Sequence, residues 1–195
     1  HTSNRAMLMT LRPALGAAAL PMAGVTAWSA VVDRANVTSG QEVFVVGCLG
    51  GIGRMAVQIA RMRGADVAGN CSASGHGEAL ALGVAEVFDY RAFDVAAQRG
   101  RFDVVVETAG ALSRRECAAL LKPNGRAVYA VPTSLTLLAA VVTRHKVASG
   151  KPTAARMRGI AEAAAQARLV PKIGRTVPLA QAIAALTELD TAGTP

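Results

Sequence analysis

From Glu42 onward, short apolar runs rich in β-branched residues alternate with segments whose apolar positions recur every three or four residues, a pattern of strands separated by helices. Glu42 to Val46 (EVFVV) predicts the first strand. Ile52 to Arg63 predicts the helix after it, with Ile52, Met55, Ala56, Ile59 and Met62 on one face and Gly64 as the stop. Asp66 to Gly69 predicts a second strand, Glu78 to Leu82 a short helix ended by Gly83, and Glu86 to Asp89 a third strand. Phe102 to Glu107 (FDVVVE) is apolar enough to be a fourth strand buried on both faces. Ser113 to Leu121 then predicts a helix, Lys122-Pro123-Asn124-Gly125 a turn and Arg126 to Val131 a fifth strand. Further on, Leu135 to Thr143 is apolar, Val142 to Ala148 predicts another strand, and Thr153 to Arg168 and Pro178 to Leu189 predict helices. Such alternation implies an α/β fold built of βαβ units on a parallel sheet.

Composition narrows the function classes. The chain has 195 residues and a formal net charge of +8, but its basic residues are scattered and do not alternate with aromatics, which argues against a nucleic-acid partner. Pro13 to Val32 carries no charge, yet Gly16, Pro21, Gly24 and its many alanines suit a loop feeding a buried helix better than a membrane span. Cys48, Cys71 and Cys117 are far apart with no Cys-x-x-Cys or histidine cluster, so no metal site is expected and the thiols read as reduced, in a cytoplasmic protein.

The candidate chemistry lies in Gly47-Cys48-Leu49-Gly50-Gly51-Ile52-Gly53, between a predicted strand and a predicted helix. A dinucleotide pyrophosphate needs a tight turn, backbone approach without a Cβ, and free N–H groups at a helix N-terminus; Gly47, Gly50, Gly51 and Gly53 are placed to provide them. At the end of the second strand, Gly69-Asn70-Cys71-Ser72-Ala73-Ser74 lacks the carboxylate that would bind the ribose of NAD. That favours NADP over NAD, with Ser72, His76, Tyr90 and Arg91 as possible contacts. Glu107, at a strand end, suits either a cofactor contact or the capping of a nearby loop. His145 reads as a surface histidine and Cys117 as a small core residue.

These residues carry a resemblance. Ala18 to Trp28 (AALPMAGVTAW), Gly50-Gly51-Ile52-Gly53, Asp89-Tyr90-Arg91, Phe102 to Val106, Leu121 to Arg126, and Arg168 to Pro171 leading to Val177-Pro178-Leu179 make the chain similar to the cofactor-binding domain of quinone oxidoreductases, zinc-independent members of the medium-chain dehydrogenase/reductase superfamily. The resemblance spans roughly residues 17–190, with 1–16 as a lead-in and 191–195 as a shortened tail. It implies an α/β, doubly wound parallel-sheet Rossmann domain, here without the family's N-terminal catalytic domain. It also implies NADPH as cofactor, hydride transfer to a quinone or an α,β-unsaturated carbonyl, and a homodimer.

Residue by residue, the resemblance places Leu49, Gly50, Gly51 and Ile52 at the pyrophosphate and Cys71 and Ser72 at the adenosine ribose. Tyr90 falls near the adenine and 2′-phosphate, and Thr108, Ala109, Val131, Pro132 and Thr26 towards the nicotinamide. No catalytic residue is assigned. Cys48-Leu49 replaces the small or hydroxyl-bearing residues usual before the paired glycines, and Gly75 stands where some members carry a Lys. A module that binds nucleotide or scaffolds a dimer without turnover is the alternative.

Overall fold

The computed structural model describes residues 16–131 and 145–192. Six parallel strands form one sheet in the order β3-β2-β1-β4-β5-β6: β1 Glu42–Val46, β2 Asp66–Cys71, β3 Glu86–Asp89, β4 Phe102–Glu107, β5 Leu121–Tyr129 and β6 His145–Val147. The chain winds outward to β3, returns beside β1 and winds out the other way, so the order reverses between β1 and β4. In open α/β sheets, ligands bind at the carboxyl ends of strands flanking such a reversal.

The two central strands explain their own position. β1 and β4 pair from Val43↔Val104 to Val46↔Glu107, and their valines and phenylalanines are buried on both faces. Val43, Val45, Val104 and Val106 face one core, shared with Val57, Ile59, Ile160 and Leu169. Phe44, Val46, Phe102 and Val105 face the other, with Cys117 and Leu120. All four phenylalanines of the chain meet there: Phe44 lies 4.9 Å from Phe93, 5.0 Å from Phe102 and 6.0 Å from Phe88, centroid to centroid. A sequence poor in aromatics thus concentrates its phenylalanines in one packed cluster, where ring pairs add to the burial term.

Helix α2 (Gly51–Met62) buries Met55, Ala56, Val57, Ile59 and Ala60 and passes into a left-handed Gly64, as its spacing predicts. Helix α3 (His76–Leu82) ends at Gly83, and α4 (Arg114–Leu120) starts in a capping box between Ser113 and Glu116. Residues 16–28 form α1, which continues as a π-helical turn over Ser29–Arg34 and buries Ala27, Ala30 and Val31. From Gly16 on, the uncharged stretch is therefore a helix packed on the core, and no described helix is long and apolar enough to cross a membrane. Helix α5 (Ala154–Ala165) is capped by Thr153, whose Oγ1 accepts the Arg156 N–H at 3.3 Å.

Three expectations change. Lys122 to Gly125 is not a turn ahead of β5 but an irregularity inside it: Phe102 pairs with Leu121 and Val104 with Arg126, so the intervening residues bulge out of register, with Pro123 lacking the N–H a ladder needs. β5 also ends at Tyr129, short of Val131. The closing segment is a 3-10 turn, Leu179–Gln181, followed by α6 (Ala182–Ala192), not one helix from Pro178. Leu135 to Thr143 lies entirely outside the described residues, as does the start of the strand expected at Val142.

Candidate functional site

The glycine loop joins β1 to α2 at the sheet's reversal point, and each glycine there has its own reason. Gly47 has φ +72°, and a Cβ on it would stand 3.0 Å from the Ala109 Cβ. A Cβ on Gly53 would lie 2.1 Å from the Gly47 carbonyl oxygen, so α2 approaches the loop as closely as it does only because Gly53 has none. Gly51 differs: among the described residues nothing lies within 4 Å of where its Cβ would be. The backbone does not require glycine there, and the space above it is free for a ligand.

That space belongs to a cleft of about 370 Å³ lined by Met22, Ala23, Gly50, Gly51, Ile52 and Thr108. α2 has no acidic residue in its first turn, so the positive end of the helix dipole meets the cleft unopposed. The loop is held from beneath by Asn70, a buried residue whose Oδ1 accepts the Gly47 N–H at 2.7 Å and whose carbonyl accepts the Cys48 N–H at 3.0 Å. Asn70 thus points inward and fixes the turn.

On the adenosine side expected from the sequence, the structure brings the proposed contacts together. β2 pairs Cys71 with Asp89 of β3, and the Tyr90 N–H reaches the Cys71 carbonyl at 3.0 Å. Tyr90 is 51% exposed, with the Arg91 guanidinium 5.3 Å from its ring centroid. The Ser72 and Ser74 hydroxyls are 3.1 Å apart, and His76 Nε2 is buried with no hydrogen-bond partner among the described residues.

On the other side, the Thr108 hydroxyl donates to the Val46 carbonyl at 2.6 Å while its side chain borders the cleft. Glu107 settles its two readings: its buried carboxylate accepts the N–H groups of Ala109 at 3.2 Å, Gly110 at 2.9 Å and Ala111 at 3.0 Å, capping the loop that begins at Thr108. Val131 is half exposed, and Pro132 lies outside the described residues. Thr26 is buried, its hydroxyl donating to the Met22 carbonyl at 3.0 Å. Met22 and Ala23, one turn earlier, form the cleft wall instead. The sequence reading missed these two, as well as Asn70; only the polar Asn70 within a buried strand was a signal.

The remaining candidates take structural roles. Burial pushes the Cys48 and Cys117 thiols up to about 12, the neutral form expected of inert core cysteines. His145 Nδ1 lies 2.9 Å from the buried Tyr129 hydroxyl, tying β6 to β5. Among the described residues no group of His, Cys, Asp and Glu is arranged to hold a metal ion.

Residues 82–195 match the family described as zinc-binding dehydrogenase, which is more than half of the chain. The chain belongs to that family. It carries the cofactor-binding domain of the medium-chain dehydrogenase/reductase superfamily, as its strand order and glycine loop indicate. It is 32% identical over 114 residues to a mitochondrial NAD(P)H oxidoreductase of Danio rerio, covering 55% of this chain and 30% of that protein. It is likewise 32% identical over 125 residues to a chloroplast envelope quinone oxidoreductase homolog of Arabidopsis thaliana, covering 60% and 38%. The chain therefore spans about a third of the length of these curated relatives. Among solved structures, the quinone oxidoreductase from Coxiella burnetii superposes with a TM-score of 0.77 at 25% identity, covering 90% of this chain and 57% of that one. A cobalt- and zinc-bound alcohol dehydrogenase from Pyrobaculum aerophilum gives 0.73 at 27% identity, covering 91% and 54%.

Proposed function

We propose that this chain is the NADPH-binding portion of an oxidoreductase that transfers hydride to a quinone or an α,β-unsaturated carbonyl. The observation that carries the reading is the cleft at the β1/β4 reversal, closed beneath by Gly53 and left open above Gly51. In it, Leu49, Gly50, Gly51 and Ile52 would hold the pyrophosphate at the α2 N-terminus. Cys71 and Ser72 would border the ribose, and Tyr90 and Arg91 the adenine and 2′-phosphate.

NADPH is preferred over NADH in this reading because no carboxylate stands between Gly69 and Ser74 to repel a 2′-phosphate, while Arg91, His76 and the serine hydroxyls are there to receive it. The nicotinamide supplies the hydride. Thr108, Ala109, Val131, Pro132 and, from α1, Thr26 would flank that half, with the apolar Met22 and Ala23 excluding water from one wall. The proton that completes reduction comes from solvent in this account, and no described residue is assigned as its donor. The names of the relatives, an NAD(P)H oxidoreductase, a quinone oxidoreductase homolog and a trans-enoyl reductase of Aspergillus terreus, support the substrate class. Homodimerisation through the sheet edge at β6 belongs to the same reading.

Titration of NADPH and NADH into the chain, followed by Trp28 emission and calorimetry, tests it. NADPH is expected to bind at least about tenfold more tightly, a difference of about 1.4 kcal/mol. Equal affinities would refute the NADPH preference, and binding of neither by the folded chain would refute the dinucleotide reading itself.

A further inference from the structure

Arg54 is a charged side chain that α2 buries, only 8% exposed, one turn from the N-terminus of the helix. Among the described residues a single nitrogen, Nη2, makes both of its side-chain hydrogen bonds, donating to the Leu49 carbonyl at 3.4 Å and to Glu78 Oε1 at 2.8 Å. Glu78, on α3, also receives Lys172 Nζ on both oxygens, at 2.7 and 3.0 Å. One turn further along α2, Gln58 exchanges hydrogen bonds of 2.8 and 3.1 Å with the Val170 backbone. The segment that follows α5 is thereby docked on α2 and α3, and Arg54 links that dock to the glycine loop.

The loop's other polar ties are already accounted for. Asn70 holds the N–H groups of Gly47 and Cys48, the Gly47 carbonyl accepts the Gly50 N–H at 3.0 Å and the Thr108 hydroxyl at 3.5 Å, and the Gly50 carbonyl accepts the Arg54 backbone N–H at 2.8 Å. The Leu49–Gly50 peptide is therefore held at both ends, its N–H on the Gly47 carbonyl and its own carbonyl on the Arg54 guanidinium. With that carbonyl on the Arg54 guanidinium, its negative end faces a buried cation; turned the other way, it would face the cleft and repel an anion there.

We propose that Arg54 is a positioning residue for the dinucleotide pyrophosphate. It keeps the Leu49 carbonyl off the phosphates and couples the loop to the segment carrying Val170 and Lys172. The inference rests on the dinucleotide reading above and adds to it a residue that touches neither cofactor nor substrate.

The test compares the 195-residue chain with Arg54→Met, Arg54→Lys and Lys172→Met, measuring the affinity of NADPH and of adenosine 2′-monophosphate, which lacks the pyrophosphate, alongside the melting temperature. Arg54→Met is expected to weaken NADPH about tenfold, the effect of one lost charge-assisted hydrogen bond. Arg54→Lys should stay within about threefold of the parent, because one ammonium can make both contacts that Nη2 makes. Lys172→Met should weaken NADPH about twofold, a surface ion pair being worth little. Adenosine 2′-monophosphate should bind all of them alike.

NADPH affinity unchanged in Arg54→Met overturns the inference. So does a parallel loss of both ligands in Arg54→Met and Arg54→Lys with a falling melting temperature, the signature of a purely structural role. If Arg54→Met does not fold, Glu78→Gln replaces it, with a loss of about threefold expected and no loss overturning the inference. Failure of the parent chain to bind NADPH overturns the dinucleotide reading, whereas a null effect of the variants in a binding-competent parent overturns only the role of Arg54.

Discussion

Replacing Glu107 by Gln changes one atom and should unsettle the loop that begins at Thr108 and borders the cleft. Glu107 Oε1 accepts two N–H groups, from Ala109 and Ala111, and Oε2 accepts the third, from Gly110 at 2.9 Å. A glutamine that keeps its oxygen at the first position presents an NH2 to the Gly110 N–H, so one bond is lost and two donors face each other in a site that is 1% exposed. An unsatisfied buried donor costs about 1–3 kcal/mol. Taking about 2 kcal/mol, and about 2–4 °C of melting temperature per kcal/mol for a domain of this size, the expected drop is about 4–8 °C. Thermal unfolding followed by circular dichroism measures it, with NADPH affinity as a second readout because Thr108 borders the cleft. A melting temperature within about 1 °C of the parent, at unchanged affinity, would refute the claim that this carboxylate holds the loop.

Other expectations follow from the same contacts. Gly51→Val should leave the melting temperature near that of the parent and abolish dinucleotide binding, since its side chain enters the empty space of the cleft; normal NADPH affinity would remove that space from the site. Gly53→Ala should do the opposite, costing about 1–3 kcal/mol or more of stability by forcing a Cβ onto the Gly47 carbonyl, and a melt at parental temperature would contradict the packing. Ser72→Asp should weaken NADPH and move preference towards NADH, read as the ratio of the two dissociation constants. Hydrogen bonding by Lys172 holds the Glu78 carboxyl below the usual carboxylate range, and that by Ser113 does the same for Glu116. Because both are lower folded than unfolded, their stabilisation is present above about pH 4.3 and fades as pH falls through the folded values. Melting temperatures from pH 6 to pH 3 should show Glu116→Gln flattening that decline, and an identical decline would refute it.

Those elements whose determinants are local are legible in the sequence. β1 and β4 announce themselves as Val and Phe runs, α2 by its spacing and Gly64, and the glycine loop by standing between them. Where the determinant is a partner distant in sequence, the reading stopped. Arg54 looked like any helix arginine until Glu78 and Lys172 were found beside it. Asn70 sat where a ribose contact belongs, but its side chain turns inward to Gly47. Lys122 to Gly125 has the composition of a turn, and only pairing with β4 makes it an irregularity within a strand. Met22, 87% exposed, gave no chemical hint that it would wall a cleft.

Exposed apolar side chains on Leu179, Ile183 and Leu186 were equally illegible, since a helix pattern predicts a buried face and here they stand 91%, 81% and 65% exposed.

Hydrogen–deuterium exchange of the chain with and without NADPH tests the central claim most directly, because it reports where the dinucleotide lies as well as whether it binds. The account predicts slowed exchange at Gly47–Arg54, at Ser72–His76 and at Thr108–Ala111, with β6 and α6 unchanged. NADPH binding that leaves Gly47–Arg54 unprotected, or that protects a different surface, would contradict it.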